Sequence, residues 1–222
     1  MYKLVIFDMD GLLIDSERKM WMPNMKQTLG EMNYEQDEKF LHTLAGSSKD
    51  TSTHLFYERF GNDFDVDYFY KHLYELNEII VSNNKVPLKE GVKEIISFLK
   101  ENNIDFCLGT SSNRDYATTV LRNTGVLNDF KHIICGDEVK ETKPAPDIYL
   151  KCMSYYNYKP HECLVLEDAH NGAKAAITAK AKCCLIPDVG ILSDWDYQNC
   201  YIVNSLFDAI KIIRKENNHE KK

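Results

Sequence analysis

The chain contains five short, continuous apolar runs separated by longer segments with helical periodicity. The runs cover residues 4–7, 104–108, 132–135, 163–166 and 183–186. Continuous runs, in contrast to alternating ones, are typical of strands that are covered on both faces, as in a parallel sheet. The pattern therefore predicts five strands of a parallel sheet.

Three segments between or after these runs place apolar side chains on one helical face. They cover residues 89–101, 113–124 and 205–216, and Gly125 is suited to end the second. Strands and helices thus alternate in the order that builds an α/β fold with a doubly wound parallel sheet of the Rossmann type.

Residues 16–82 interrupt this alternation. They contain no convincing strand, hold much of the aromatic content, and show helical spacing at residues 55–60 and 66–80. Pro23 predicts that a further helix either begins or kinks there. We expect the aromatic side chains to pack between helices and not to form a ligand site. The prediction is a small all-helical domain at residues 16–82, inserted into a core domain made of residues 1–15 and 83–222.

Composition and charge narrow the class of protein. The 222 residues are 44% hydrophobic, which excludes a disordered chain, and 27 basic against 34 acidic side chains give a net charge of −7. This acidic excess argues against a nucleic-acid or anionic-membrane partner. No apolar stretch approaches the ~18 residues of a membrane span, and the first residues do not resemble a secretory signal. We expect a cytoplasmic protein, and a monomer by default.

The seven cysteines form no C-x-x-C pair. Most lie in or beside apolar runs, so we expect reduced, buried thiols and no zinc or redox centre. Cys183 and Cys184 are adjacent on a predicted strand, and their side chains should point to opposite faces.

Candidate chemistry begins at the end of the first run, where Asp8, Asp10 and Gly11 follow residues 4–7. In an open α/β sheet, ligands bind beyond the carboxyl ends of the strands. Two neighbouring carboxylates repel each other unless a cation or a proton lies between them, and oxygen ligands of this kind suit Mg²⁺. The alternative is an Asp- and Gly-rich turn that only ends the strand.

The second run ends in a turn that carries Thr110, Ser111 and Ser112. Hydroxyl groups, backbone N–H groups and a helix N-terminus are suited to an anion, although the same residues also suit a simple helix N-cap. Lys143 precedes two prolines that fit the opening of a helix. A lone lysine is more often solvated, so its position near the other strand ends is what makes it a candidate.

The fourth run ends in Glu167 and Asp168, which could also cap the helix that follows. Several carboxylates, a need for Mg²⁺, an anion-binding turn and one lysine suit phosphoryl transfer, which requires neutralised charge and fixed geometry. An aspartate can be the nucleophile, and a second carboxyl group can transfer the proton.

Four motifs, DMDGLLIDSE, LGTSSN, ETKPAPDIYL and LVLEDAHNGAKAA, follow one another along nearly the whole chain. In this order they resemble the haloacid dehalogenase superfamily of phosphohydrolases, in the subgroup with a helical cap inserted after the first motif. The resemblance implies a core of that fold and a cap, at residues 16–82, that closes over the substrate. The acid at position 10 is typical of the phosphatases and not of the relatives that displace halide.

The resemblance also implies roles for individual residues. Asp8 would be the nucleophile, Asp10 the general acid and base, and Thr110 would hold the phosphoryl group. Lys143 would offset the negative charge of the nucleophile and the phosphate. The implied Mg²⁺ ligands are Asp8, Asp10 through its backbone carbonyl, Asp168 and, as a neighbour, Glu167. The implied substrate contacts are Ser111, Ser112, Lys49 and Arg114.

Three functions remain open at this point. The first is a Mg²⁺-dependent phosphatase that acts on a small phosphorylated metabolite through an aspartyl-phosphate. The second is a phosphosugar mutase similar to β-phosphoglucomutase, which is disfavoured because Met20, Ala45 and Asn113 stand where mutases carry basic residues. The third is a non-catalytic Mg²⁺-binding regulatory module, which would not require the full set of site residues. Glu17 and Arg18 are expected either to line the interface of the cap or to form a solvated helical turn.

Overall fold

The computed structural model describes residues 1–44, 49–188 and 199–219. Six parallel strands form one sheet in the order β3-β2-β1-β4-β5-β6. The strands are β1 (Leu4–Phe7), β2 (Asp105–Gly109), β3 (Ile133–Ile134), β4 (Cys163–Glu167), β5 (Lys182–Leu185) and β6 (Cys200–Ile202). The predicted doubly wound parallel sheet is confirmed.

The prediction of five strands was too low by one. β6 is a three-residue edge strand whose side chains are half-buried or exposed, so it lacks the continuous apolar run that marks a central strand. The predicted run at residues 132–135 is also longer than the two-residue strand β3.

Nine helices accompany the described strands. They are α1 (Met22–Glu31), α2 (Glu38–Leu44), α3 (Lys49–Phe60), α4 (Val66–Ser82), α5 (Val92–Glu101), α6 (Arg114–Thr124), α7 (Asp147–Tyr156), α8 (His170–Thr178) and α9 (Leu206–His219). The predicted helix at 113–124 is confirmed, because the Asn113 side chain accepts a hydrogen bond from the backbone N–H of Tyr116, and Gly125 ends α6 with φ 77°.

The sheet is covered on both faces by separate groups of helices. Val5 and Phe7 pack with apolar residues of α5, α6 and α9, whereas Leu4 and Ile6 pack with α7 and α8. Cys183 and Cys184 belong to these two different clusters, as the alternation of a strand predicts. All seven cysteines are free thiols.

All named elements in the described part of the segment between β1 and α5 are helices. A π-helical turn (Glu17–Trp21) leads into α1, and Pro23 lies in the first turn of α1, so the helix begins there. The ring centroids of Phe56 and Phe69 lie 4.6 Å apart within a third apolar cluster. The expected aromatic core of this segment is confirmed, and α2 is a helix that the sequence pattern did not predict. No described helix has the length and hydropathy needed to cross a membrane.

Candidate active site

The register of the central strands brings the predicted strand-end residues to one edge of the sheet. Phe7 lies opposite both Leu108 and Leu166, so β1, β2 and β4 end together. Asp8 follows β1, Thr110 follows β2, and Glu167 is the last residue of β4. All three side chains are buried, with residue exposures of 7%, 1% and 1%. Polar groups buried at this level need hydrogen-bond partners, and Lys143 supplies one to both Asp8 and Glu167.

The turn after β1 brings Asp10 and Gly11 against the other strand ends. Gly11 has φ +80°, and a Cβ atom at this position would overlap the carboxylate of Asp168. Only glycine suits such a position, for both backbone and steric reasons. The Ser112 hydroxyl donates a hydrogen bond to Asp10 Oδ2 at 2.8 Å. This contact ties the turn after β1 to the turn after β2.

Lys143 lies at the centre of the carboxylates. Its ammonium group donates to Asp8 Oδ1 and, at 2.7 Å, to Glu167 Oε1, and its side chain is only 7% exposed. The Tyr149 hydroxyl donates to the same Glu167 oxygen, and the Tyr149 ring centroid lies 4.9 Å from Lys143 Nζ. Burial lowers the pKa of Lys143, but attraction from Asp8 and Glu167 outweighs it and raises the pKa above its ordinary value. Lys143 is therefore a fixed positive charge.

The carboxylates themselves are held in an unfavourable electrostatic environment. Burial first, and then repulsion from Glu167, raise the pKa of Asp8 to about 7, although Lys143 opposes the shift. Burial also raises the pKa values of Asp10 and Asp168. One lysine does not neutralise four neighbouring acids, so the cluster favours a further cation.

Three of these acids have the geometry of a metal site. Asp8, Glu167 and Asp168 each offer one ligand oxygen, and these oxygens lie within 4.8 Å of one another. Hard carboxylate oxygens in this number suit Mg²⁺, so the donor set fits the expected ion. Asp10 was expected to contribute only its backbone carbonyl, and its carboxylate accepts the hydrogen bond from Ser112.

Three of the expected substrate contacts, Ser111, Ser112 and Arg114, lie in the turn after β2 and at the start of α6. The side chain of Ser111 is exposed beside Thr110, and the backbone carbonyl of Ser112 accepts a hydrogen bond from the Gly136 N–H. The Arg114 guanidinium is paired with Glu138 at 2.7 Å and donates to the Ile133 carbonyl. These partners hold Arg114 against β3 and the turn after it, and its expected substrate contact stays a prediction.

Residues 45–48, which precede Lys49 and include Ala45, lie outside the described residues. Lys49 is the first residue of α3, but its side chain is not among those described, so its expected substrate contact stays a prediction.

Sequence reasoning missed three residues at this edge. Tyr149 lies in the third motif and could have been found as a polar tip on a buried helical face. Asp188 follows β5 by three residues and carries the same strand-end signal as Asp168. Lys89 precedes α5 without any distinguishing pattern, and only the three-dimensional structure reveals its contacts.

Carboxylates, a lysine and a hydroxyl-rich turn at the ends of parallel strands are the groups that phosphoryl transfer requires. A family model described as "Haloacid dehalogenase-like hydrolase" matches residues 5–186. The chain belongs to this family, and within it the chain is an enzyme, a phosphoric monoester hydrolase.

Curated relatives and solved structures agree with this placement. Fructose-1-phosphate phosphatase YqaB of Escherichia coli is 30% identical over 80% of this chain and 93% of its own length. The phosphorylated carbohydrates phosphatase of Thermotoga maritima is 29% identical over 79% and 80%. A haloacid dehalogenase-like protein of Agrobacterium tumefaciens has a similar fold, with a TM-score of 0.82 at 21% identity, covering 98% of this chain and all of that one.

Proposed function

We propose that the protein is a Mg²⁺-dependent phosphatase that hydrolyses a small phosphorylated metabolite, such as a sugar phosphate, through an aspartyl-phosphate on Asp8. The observation that carries this proposal is the position of Lys143. Its ammonium group contacts Asp8 and Glu167 at the edge where Asp168 and Thr110 also lie. A nucleophile, a fixed cation and a metal-type donor set in one place match the needs of phosphoryl transfer.

In the proposed first step, an Asp8 carboxylate oxygen forms a bond to phosphorus and the bond to the ester oxygen breaks. The raised pKa of Asp10 favours its protonated form, which donates the proton to the leaving oxygen. Asp10 then accepts a proton from the water that attacks the aspartyl-phosphate and restores Asp8. Lys143, which contacts Asp8, and Thr110, which follows the neighbouring strand β2, would hold the phosphoryl oxygens.

The metal would be held by Asp8, Asp168 and Glu167, with the Asp10 backbone carbonyl as a further ligand. When bound, Mg²⁺ supplies positive charge that offsets the charge of the phosphoryl group. A metal would compete with Lys143 for Glu167, because the Glu167 carboxylate already accepts three hydrogen bonds.

We further propose that residues 16–82 form a cap over the core domain of residues 1–15 and 83–222. Closure of such a cap would exclude water from the aspartyl-phosphate until the leaving group departs. A cytoplasmic monomer is the proposed working state. The mutase alternative has no support from the described residues, because Met20 is fully buried and Asn113 is the N-cap of α6.

The test is release of inorganic phosphate from an aryl phosphate with Mg²⁺ and then with EDTA. We expect wild-type turnover with Mg²⁺, loss of turnover with EDTA, and no turnover by Asp8→Asn. Asp63→Asn is a matched control, because it removes one exposed carboxylate before α4. Turnover by Asp8→Asn at the wild-type rate would overturn the mechanism. Exchange between hexose 1- and 6-phosphates without net phosphate release would favour the mutase instead.

A further inference from the structure

A chain of charged contacts connects the start of the helical insert to the turn after β1. Arg18 Nε lies 2.6 Å from Asp188 Oδ1, and Lys89 Nζ lies 3.3 Å from the same oxygen. Lys89 Nζ also donates a hydrogen bond to the backbone carbonyl of Gly11. Three segments distant in sequence therefore meet next to Asp10.

The shared carboxylate of this chain is deeply buried. The side chain of Asp188 is 1% exposed, and the backbone carbonyl of the same residue accepts a hydrogen bond from Arg18 at 3.0 Å. Neither carboxylate oxygen has a hydrogen bond of good geometry within the described chain. A buried charge is costly unless it is paired, so Asp188 depends on its two cationic neighbours.

The backbone of Lys89 is also held in place by a hydrogen bond. Its N–H donates to the Leu13 carbonyl at 2.9 Å, and its side chain is 16% exposed. The ammonium group thus approaches Gly11 from a segment that is itself hydrogen-bonded to the first motif. This arrangement constrains the Gly11 carbonyl, while Asp168 packs against the Gly11 Cα from the other strand end.

The constraint matters because Gly11 directly follows Asp10. A shift of the Gly11 peptide moves the Asp10 backbone and side chain relative to Asp8. A displacement of about 1 Å in a catalytic group can lower a rate about 100-fold. The Lys89 ammonium group contacts the Gly11 carbonyl and the Asp188 carboxylate, whereas Asp8 is paired with Lys143.

We propose that Lys89 is a positioning residue for the turn from Asp8 to Gly11, and that Asp188 and Arg18 hold it in place. The proposal rests on the proposed phosphatase function. Because Arg18 lies in the first helical turn of the insert, the same contacts couple the position of the insert to the geometry of Asp10.

The first test compares Lys89→Met, Lys89→Arg and Lys93→Met in aryl phosphate hydrolysis. Lys93 is the matched control, since it is exposed and lies four residues later. We expect Lys89→Met to lower kcat about 10- to 100-fold with KM changed less than about twofold. Lys89→Arg should restore most of kcat, because it keeps a cationic donor, and Lys93→Met should match the wild type.

The second test uses Arg18→Ala, whose side chain is 58% exposed, and thermal unfolding establishes that each variant is folded. We expect it to lower kcat in the wild-type background and to have no further effect after Lys89→Met. A wild-type kcat for Lys89→Met, or additive effects of the two substitutions, would overturn the proposal. An inactive wild type with all phosphate esters would instead overturn the proposed function, so the two failures are distinguishable.

Discussion

Replacing Tyr149 with phenylalanine removes one hydroxyl group from the buried cluster and keeps the ring beside Lys143. The hydroxyl donates to Glu167, whose residue exposure is 1%, and Tyr149 is fully buried. After the substitution, Glu167 keeps Lys143 and, at 3.2 Å, the Asp168 N–H as donors. The substitution therefore isolates one hydrogen bond to a buried charge.

The expected magnitude follows from the charge of the acceptor. A hydrogen bond to a charged group contributes about 1.5–3 kcal/mol to stability, so the unfolding free energy should fall by that amount. For a chain of this size, such a loss lowers Tm by about 3–12 °C. The activity should fall as well, because Glu167 orients Lys143.

Urea and thermal unfolding measure the effect, with Tyr155→Phe as the matched control. Tyr155 lies on the same helix and is 54% exposed, so the loss of its hydroxyl should change stability by less than about 0.5 kcal/mol. Equal unfolding free energies for Tyr149→Phe and the wild type would refute the inference that this hydroxyl stabilises a charged Glu167.

Two further predictions concern the acid cluster. Mg²⁺ at about 100 times its Kd should raise the unfolding free energy by about 2.7 kcal/mol, and Asp168→Asn should lose most of this gain, as thermal unfolding with MgCl₂ or EDTA will show. An undiminished gain in Asp168→Asn would remove this residue from the metal site. In EDTA, the pKa of Asp8 is about 7 in the folded state, above its ordinary value of 3.8. Between these two pH values the folded state keeps the carboxyl proton of Asp8, whereas the unfolded state loses it. The unfolding free energy should therefore fall as pH rises from about 4 to 7, and urea titrations should show a smaller fall for Asp8→Asn. An identical pH dependence in the two proteins would contradict the assigned environment of Asp8.

The sequence predicts those parts of the fold that depend on local patterns. Helix α6 has its cap at Asn113 and its end at Gly125, and both are visible in the sequence. The buried central strands are equally visible, because each is a continuous apolar run. The edge strand β6 is not, since its side chains are only half-buried or exposed and only three residues pair.

The same distinction holds for the candidate site. Asp8 and Asp168 could be predicted because parallel strands bring their carboxyl ends to one edge. For Arg114, the sequence gives the position on α6 but not the partner, Glu138, so its expected substrate contact stays a prediction. The contact between Lys89 and Gly11 spans 78 positions and depends on how α5 packs on the sheet, so no local pattern predicts it.

Two lysines divide the charge of the acid cluster between them. Lys143 precedes α7 and Lys89 precedes α5, and these helices pack on opposite faces of the sheet. Lys143 contacts Asp8 and Glu167, whereas Lys89 contacts Asp188 and lowers the pKa of Asp168 against the larger effect of burial. The pKa values of Asp8, Asp10 and Asp168 are raised even with both lysines in place, so the negative charge of the cluster still favours a further cation. The two lysines can therefore fix the site geometry in advance while leaving the electrostatic requirement for the metal in place.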